Sequence, residues 1–156
     1  MSEEKTYIGV KLIKAKPINR IDYNKFRGWK LHDDENGADE GYMVTYPDSD
    51  NYVSWSPKEI FDKSYFQLED ESKISHNDVV GFIDPVGQIS TVDEKTTLLR
   101  KDTITGFRFY ETSSCVDPKN YDENLGTKIC DEKIIDKMWG HLGFVLQWAK
   151  NGLTNE

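Results

Sequence analysis

The chain has 156 residues, a length that suits one domain or two very small ones. Its formal net charge of −8 argues against a general binder of nucleic-acid polymers, which needs a basic surface to displace counterions from phosphates. The charge is unevenly spread: residues 1–30 carry eight Lys and Arg against three Asp and Glu, whereas residues 31–50 carry seven acidic residues and no Lys or Arg.

The first 66 residues are predicted to form a small β-rich module. Its predicted elements are, in chain order, a strand over 7–15, one helical turn over 21–26, and a β-hairpin of strands 42–46 and 52–55. Ser56, Pro57 and Glu59 then match a capping box with proline at the first helical position, so a short helix should begin there.

Residues 67–93 open with a polar stretch and are interpreted as a connector, in which 79–83 and 88–92 are predicted to pair as strands. Residues 94–156 form the third predicted part. Its predicted elements are strands 97–101 and 104–110, a helix that begins at Asp117 and Pro118, and a second short helix after a break at 140–143. The predicted fold class is α+β: antiparallel sheets, a short helix in the N-terminal module and two C-terminal helices.

The cysteines, histidines and acidic loop give little support for metal chemistry or catalysis. Cys115 and Cys130 form no CxxC pair and have no histidine at ligand spacing, so neither a disulfide scaffold nor a zinc site is expected. The loop from Asp33 resembles a calcium loop superficially, but Gly37 and Val44 stand where an EF-hand needs other residues. With no nucleophile elbow, P-loop or HExxH motif, we expect a protein that is not an enzyme and uses no cofactor.

Rings and cations alternate in several segments, and this pattern favours a ligand that carries a base and a phosphate, because rings stack on bases and cations hold phosphates. Ordinary core and rim packing is the alternative interpretation. The candidate ligand-binding residues are Phe107, Arg108, Tyr110, Asn120 and Lys128, followed by Trp55 and Arg27. Asn120 is included because it would lie at the third position of the helix that Asp117 opens, where free N–H groups favour anions.

Four motifs lie between residues 97 and 146. They are Gly106-Phe107, the ten residues from Ser113 to Asp122, Leu125-Gly126-Thr127-Lys128-Ile129, and Asp136-Lys137-Met138-Trp139. With these motifs the segment resembles a family of small accessory proteins of tailed phages, first noted in phages N4 and Sf6. It departs from the family where an arginine is replaced by Thr127 and where Pro-Leu-Glu-Gly is replaced by residues 140–143. If that arginine holds an anion in relatives, the resemblance implies that Lys128 or Arg108 takes its place here.

The N-terminal part resembles a module common in small phage proteins. The residues that carry this resemblance are Tyr7-Ile8-Gly9, Lys14-Ala15-Lys16-Pro17, Tyr23, Gly28-Trp29, Asp39-Glu40-Gly41-Tyr42 and the run from Tyr52 to Lys58. The predicted architecture is also similar to that of phage anti-Thoeris sponge proteins. That resemblance implies an anti-defence protein that sequesters a cyclic ADP-ribose isomer or a cyclic oligonucleotide, a signal of Thoeris or CBASS immunity, without cleaving it.

Three hypotheses on function therefore remain open. The first is the signal sponge, acting in the host cytoplasm as a homo-oligomer formed through its C-terminal helices, with no membrane segment and no signal peptide. The second is a protein–protein module that inhibits a host enzyme through the acidic residues of 33–40. The third is a metal-dependent nuclease or phosphodiesterase that degrades the signal, for which no ordered motif is present.

Overall fold

The computed structural model describes residues 2–154. Within that range the chain divides into two compact units: the first comprises residues 2–67 and 149–154, and the second comprises residues 68–148. The described elements form two three-stranded antiparallel sheets, four α-helices and two short 3-10 turns. The prediction of an α+β fold is confirmed.

The first unit contains one sheet in the order β1-β2-β3 and two helices. Its elements are β1 (Lys14–Pro17), α1 (Arg20–Arg27), β2 (Gly41–Tyr46), β3 (Tyr52–Pro57) and α2 (Lys58–Ser64). The predicted hairpin is confirmed, with a 3-10 turn over Pro47–Ser49 between its strands. The predicted strand over 7–15 is wrong for most of its length. It pairs with β2 only from Lys14, because β2 ends at Tyr46 and the proline that follows has no N–H to extend the ladder.

Helix α1 is two turns long, whereas a single turn was predicted. Asn19 caps its start, because the Asn19 side chain accepts from the backbone N–H of Asp22 at 2.8 Å. Gly28 ends it in the left-handed region at φ 72°. The predicted capping box before α2 is wrong, since Ser56 is part of strand β3, opposite Tyr42, and its hydroxyl donates to the carbonyl of Pro57 at 3.3 Å.

The second unit places one sheet against a long helix. Its elements are α3 (His76–Phe82), β4 (Gln88–Val92), β5 (Thr96–Asp102), β6 (Arg108–Ser114) and residues 123–148 of α4 (Glu123–Asn151), with sheet order β4-β5-β6. Along the strands, Leu99 and Phe109 face inwards and their neighbours face outwards. The core joins four buried α4 residues, which are Cys130, Ile134, Met138 and Leu142, to Leu99, Phe109, Val79 and Ile83.

Two element predictions are corrected in this unit. The pairing of 79–83 with 88–92 is wrong: Ser75 and Asp78 form a capping box that starts helix α3, and β4 pairs with β5 instead. The segment 67–93, interpreted as a connector, thus holds a helix and a strand. The predicted break at 140–143 is also wrong, because α4 runs unbroken for 29 residues. Burial of Met138 and Leu142 against the core outweighs the roughly 1 kcal/mol by which each glycine disfavours a helix.

Candidate ligand-binding site

Arg108 and Tyr110 lie on the outer face of the second unit's sheet. The Arg108 Nε donates to Asp102 Oδ1 at 3.0 Å, and the Nε of Arg100 lies 3.7 Å from the same oxygen. Tyr110 is exposed and lies directly across from Arg100 in the β5–β6 register. These two predicted residues therefore share one open surface, where Asp102 already neutralises part of the positive charge.

The other three predicted residues of this unit lie elsewhere. The Phe107 ring packs 5.4 Å from that of Phe109. Asn120 ends a 3-10 turn, Pro118–Asn120, instead of lying at the third position of a helix, because Asp117 caps only that turn and α4 begins at Glu123. Lys128 is on α4, which covers the inner face of the sheet. The five predicted residues of the second unit are thus not gathered around one cavity.

Lys128 lines a small cleft of about 320 Å³ beside the inner face. The residues that line it are Pro85, Gly87, Ile89, Leu99, Lys101, Asn124, Thr127, Lys128 and Asp131. The ammonium of Lys101 donates to Asp131 at 2.6 Å, so one of the cleft's two cations is paired. This pairing leaves Lys128 as the cation of the lining that remains for a phosphate.

Trp55 and Arg27 belong to the first unit. The indole N–H of Trp55 donates to the carbonyl of Ile18 at 3.0 Å, and the guanidinium of Arg20 lies over its ring, 5.0 Å from the centroid. The ring of Trp55 therefore packs against the guanidinium of Arg20 and supports it. Arg27 is exposed, and its guanidinium lies 4.5 Å from the centroid of Trp29.

A cavity of the first unit lies beside helix α1 and has a volume of about 540 Å³. The residues that line it are Arg20, Asn24, Gly28, Trp29, Lys30, His32 and Glu35, and we call it the α1 cavity. Its volume falls in the range of small-molecule sites in proteins, roughly 300–1,000 Å³. Its lining combines the Trp29 ring, cationic side chains, a polar amide and the carboxylate of Glu35, which pairs with Arg20.

The sequence builds this cavity by ending α1 sharply and holding the next loop in place. Because Gly28 takes a left-handed conformation, the chain turns back, and the N–H of Trp29 donates to the carbonyl of Asn24 at 2.8 Å. Further along, the carboxylate of Glu35 accepts from the N–H of His32 at 3.0 Å. The loop from 29 to 35 therefore returns to α1 with defined geometry.

Two polar atoms of helix α1 are buried and have no hydrogen-bond partner within residues 2–154. They are Oδ1 of Asn24, a residue only 2% exposed, and Nε of Arg20. Leaving a buried polar group unpaired costs about 1–3 kcal/mol, and most such groups in native proteins have a partner. Both residues line the α1 cavity, but these two atoms have almost no accessible surface and are therefore not themselves exposed to it.

The predicted ligand-binding residues include Arg27, which lies against Trp29, but not Trp29 itself, Arg20 or Asn24. The signal was present, because Asn19 is a good cap and Gly28 a good helix end, which together define a helix over 20–27. Residues 20 and 24 then lie one turn apart on the same face. Nothing in the sequence marks the burial of Asn24.

These features define a two-unit α+β protein with a cavity suited to a small ligand. The chain belongs to the phage protein (N4 Gp49/phage Sf6 gene 66) family, whose sequence model matches residues 57–149. The predicted family resemblance is therefore confirmed, and the match begins well before residue 97. No curated protein and no solved structure matches the chain. The 29-residue α4 is not apolar enough to cross a membrane, and no other helix of the described chain is long and apolar enough to do so.

Several of the motif residues in the matched region have structural roles. Gly126 lies so close to strand β5 that a Cβ there would be 2.1 Å from the hydroxyl oxygen of Thr97. The Tyr121 hydroxyl is 2.9 Å from that same oxygen, and the carboxylate of Asp122 accepts from the N–H of Leu125 at 3.1 Å. These contacts fix the start of α4 against the sheet.

Proposed function

We propose that this phage protein binds a small nucleotide-type ligand in the α1 cavity and holds it unchanged, so that it sequesters an immune signal of the host. Cyclic ADP-ribose isomers and cyclic oligonucleotides are the signals we have in mind. The observation that carries the proposal is the lining of that cavity, which combines the exposed ring of Trp29 with the cationic side chains of Arg20 and Lys30. The proposed site therefore lies in the first unit, whereas most of the ligand-binding residues predicted from the sequence lie in the second.

The lining of the cavity supports a ligand with a ring and a phosphate. Trp29 is 52% exposed, so much of its ring is available for stacking on a base, which contributes about 1–3 kcal/mol per base. Lys30 and His32 line the cavity, and Arg27 lies against the Trp29 ring. Cationic donors of this kind form strong hydrogen bonds to phosphate oxygens.

The state of Glu35 supports binding without turnover. Its carboxylate pairs with the guanidinium of Arg20 and also accepts from the backbone N–H of His32. A carboxylate committed to two structural partners is poorly placed to act as a general base. A sponge that is made in excess needs only affinity, and nanomolar binding corresponds to about −12 kcal/mol.

Isothermal titration with a panel of cyclic ADP-ribose isomers, cyclic di-AMP and cyclic di-GMP tests this proposal. We expect at least one member to bind and to be recovered intact after the protein is denatured. Trp29→Ala should weaken binding about tenfold or more, since one base stack is lost. Lys30→Gln should weaken it by up to about tenfold through the lost phosphate contact.

Two surface changes in the same unit serve as matched controls. Lys25 is exposed on α1 and is not among the lining residues, so Lys25→Gln should leave the affinity unchanged. Tyr7 is 85% exposed, and Tyr7→Ala should likewise have no effect. No binding by the whole panel, or equal effects of Trp29→Ala and Tyr7→Ala, would contradict the proposal. Native mass spectrometry of the same samples would test the proposed homo-oligomer and its stoichiometry.

A second candidate function uses the acidic loop as a docking surface for a host enzyme. Asp33, Asp34, Asp39 and Glu40 are exposed. The backbone carbonyl of Asp39 accepts a hydrogen bond from the backbone N–H of Arg20 at 3.0 Å, and this bond holds the loop in place. A pull-down from host lysate should then recover a stoichiometric partner, and neutralising these four residues should abolish its capture. Retention of the partner by the neutralised variant would exclude this function.

A further inference from the structure

We infer that residues 2–13, which we call the N-terminal arm, add as a strand to the edge of β3 in a second copy of this chain, and that two copies exchange their arms. This inference goes beyond the proposed function, because the arm and β3 share no residue with the lining of the α1 cavity. The juxtaposition that carries it is an unpaired segment of strand-like sequence and an unpaired strand edge in the same unit.

The N-terminal arm has the sequence of a strand, yet no strand pairs with it among residues 2–154. It is rich in residue types that strands favour, namely Tyr7, Ile8, Val10 and Ile13. Tyr7 is 85% exposed and Ile8 is 79% exposed. A partner that covers these two side chains would remove apolar surface from water, which is favourable.

Strand β3 offers a complementary edge. It is the outer strand in the order β1-β2-β3, so the backbone groups along its far side face no other strand of the described chain. An exposed edge of this kind is a template for pairing with another chain, and main-chain hydrogen bonds then supply the affinity. The arm contains no proline, so each of its residues keeps the N–H that such a ladder needs.

The course of the arm directs it to a second copy and away from its own β3. Lys14 lies opposite Thr45, near the end of β2 where the hairpin turn begins, so the arm leaves the sheet beyond that turn. Strands β1 and β3 are on opposite edges, with β2 between them. To reach β3 of its own chain the arm would have to bend around the turn, whereas no turn or bend interrupts residues 2–13.

A two-fold axis perpendicular to the sheet, placed beside the hairpin turn, satisfies both arms. The β3 strand of the second copy then lies alongside the straight arm of the first, and the arm of the second copy lies alongside β3 of the first. The two contacts are identical, so the assembly closes as a dimer. In this arrangement each arm runs antiparallel to the β3 strand that it joins.

The charges of the arm and the hairpin turn favour this antiparallel direction. Glu3 and Glu4 lie at the far end of the arm, and Lys11 lies close to β1. Asp48 and Asp50 are exposed in the turn that precedes β3. Antiparallel pairing brings Lys11 towards these two carboxylates and keeps the glutamates away from them. Parallel pairing would bring like charges together, which is destabilising.

Strand alternation then brings two exposed tyrosines together. The ammonium of Lys11 lies 4.4 Å from the centroid of the Tyr46 ring, and Tyr52 lies opposite Tyr46 with the ring centroids 6.0 Å apart. Tyr7 is four positions before Lys11, so a continuous strand places it on the same face. Tyr52 is 58% exposed, and the two-fold axis keeps its face on the same side in both copies. Aromatic pairs across strands stabilise a sheet, so Tyr7 and Tyr52 should cover each other.

The first test measures the dimer dissociation constant of the full chain by sedimentation equilibrium. Thr6→Pro combined with Tyr7→Pro removes two consecutive N–H groups, one of which points to the added edge in either register. Because the bond is lost in both arms, we expect the dissociation constant to rise about tenfold or more. Thr6→Ser combined with Tyr7→Phe keeps both N–H groups and should dimerise like the unmodified protein. Both positions are exposed, so neither change should disturb the fold.

The second test identifies the strand that the arm joins. In a Cys115→Ala background, chains with Tyr7→Cys are mixed with chains with Tyr52→Cys and oxidised. Peptide mapping should find a disulfide between the two introduced cysteines. Val116 is 95% exposed in the second unit, so Val116→Cys chains replace the Tyr52→Cys chains as the control and should form no such disulfide.

Three results would overturn the inference. One is a monomer at every concentration. Another is a dimer that the two prolines leave unchanged, since a different surface would then form it. The third is a disulfide within one chain when both cysteines are placed in it, since the arm would then join its own β3. Because one chain supplies the lining of the α1 cavity, Tyr7→Ala should weaken the dimer and leave ligand affinity unchanged, so the two proposals can fail separately.

Discussion

The α1 cavity and the start of α4 differ in how completely their buried polar groups are paired. In the second unit, the hydroxyl of Thr97 contacts Tyr121, and the thiol of Cys130 lies 3.7 Å from the carbonyl of Thr97. In the first unit, Asn24 and Arg20 each leave a buried atom without a hydrogen bond, whereas the corresponding atom of the second unit, Glu111 Oε1, pairs with the ammonium of Lys137. The family model covers the satisfied region and not the unsatisfied one, since its match begins at residue 57. The family match therefore concerns the fold of the region that contains α4. The candidate site in the α1 cavity depends on its own residues for support.

The largest expected effect is at the contact between α4 and β5. Gly126→Ala would place a methyl group 2.1 Å from the Thr97 hydroxyl and 2.8 Å from its Cβ, so helix and strand must separate. We expect a loss of about 3 kcal/mol in the free energy of unfolding, at the upper end for overpacking. Urea denaturation measures it.

Gly143→Ala is the matched control for that experiment. Gly143 lies in the same helix with nothing within 4 Å of an added Cβ. Alanine there should stabilise the protein by about 0.5–1 kcal/mol through helix propensity. Equal stability of the two alanine variants would show that α4 does not approach β5 closely at Gly126. The description of the start of α4 as tightly packed on the sheet would then be wrong.

The next effect compares a paired and an unpaired buried polar group directly. Thr97 is fully buried, so Thr97→Val removes a satisfied hydroxyl and leaves Tyr121 with only its 2.8 Å contact to Thr91. We expect a cost of about 1–2 kcal/mol. Asn24→Leu removes an unsatisfied oxygen of the first unit and should leave the free energy of unfolding unchanged or slightly higher.

Thermal and urea unfolding of both variants, without ligand, measure this difference. A loss at Asn24→Leu as large as that at Thr97→Val would mean that Asn24 is structurally paired after all. A higher free energy of unfolding for Asn24→Leu would strengthen the contrast with Thr97→Val. It would show that the Asn24 side chain lowers stability and that folding does not require it.

Elements whose causes are local in sequence were predictable, whereas elements that depend on packing between distant residues were not. The hairpin of β2 and β3 was predictable because its alternation and turn residues are local. The break expected at Gly140 and Gly143 was not borne out, since local helix propensity was outweighed by the packing of residues distant in sequence. Residues 79–83 were read as a strand from a short apolar run, although the Ser75 cap was visible before it.

The candidate site was only partly predictable, for a related reason. Arg27 and Trp29 attract attention by residue type alone. Arg20 and Asn24 belong to the candidate site because they line the cavity that forms where the loop after Gly28 returns to α1. The second-unit residues Arg108 and Lys128 were grouped by type too, yet the sheet lies between them, as strand alternation and the position of α4 require.

The smallest expected effect concerns the pH dependence of the satisfied region. Burial raises the pKa of the Cys130 thiol above its ordinary value, with a further contribution from Glu111. The folded state therefore keeps this proton at pH values where the unfolded thiol, with a pKa of about 8.5, has lost it. Because the folded state then binds more protons, stability falls as pH rises above that value. We expect the free energy of unfolding, measured by urea denaturation, to fall between pH 8 and 9.5, and Cys130→Ala should not show this fall. Cys115, a free thiol whose hydrogen bond lies in a loop, serves as the control. Cys115→Ala should retain the pH dependence of stability. Loss of the pH dependence in this variant would show that Cys115, and not Cys130, causes it.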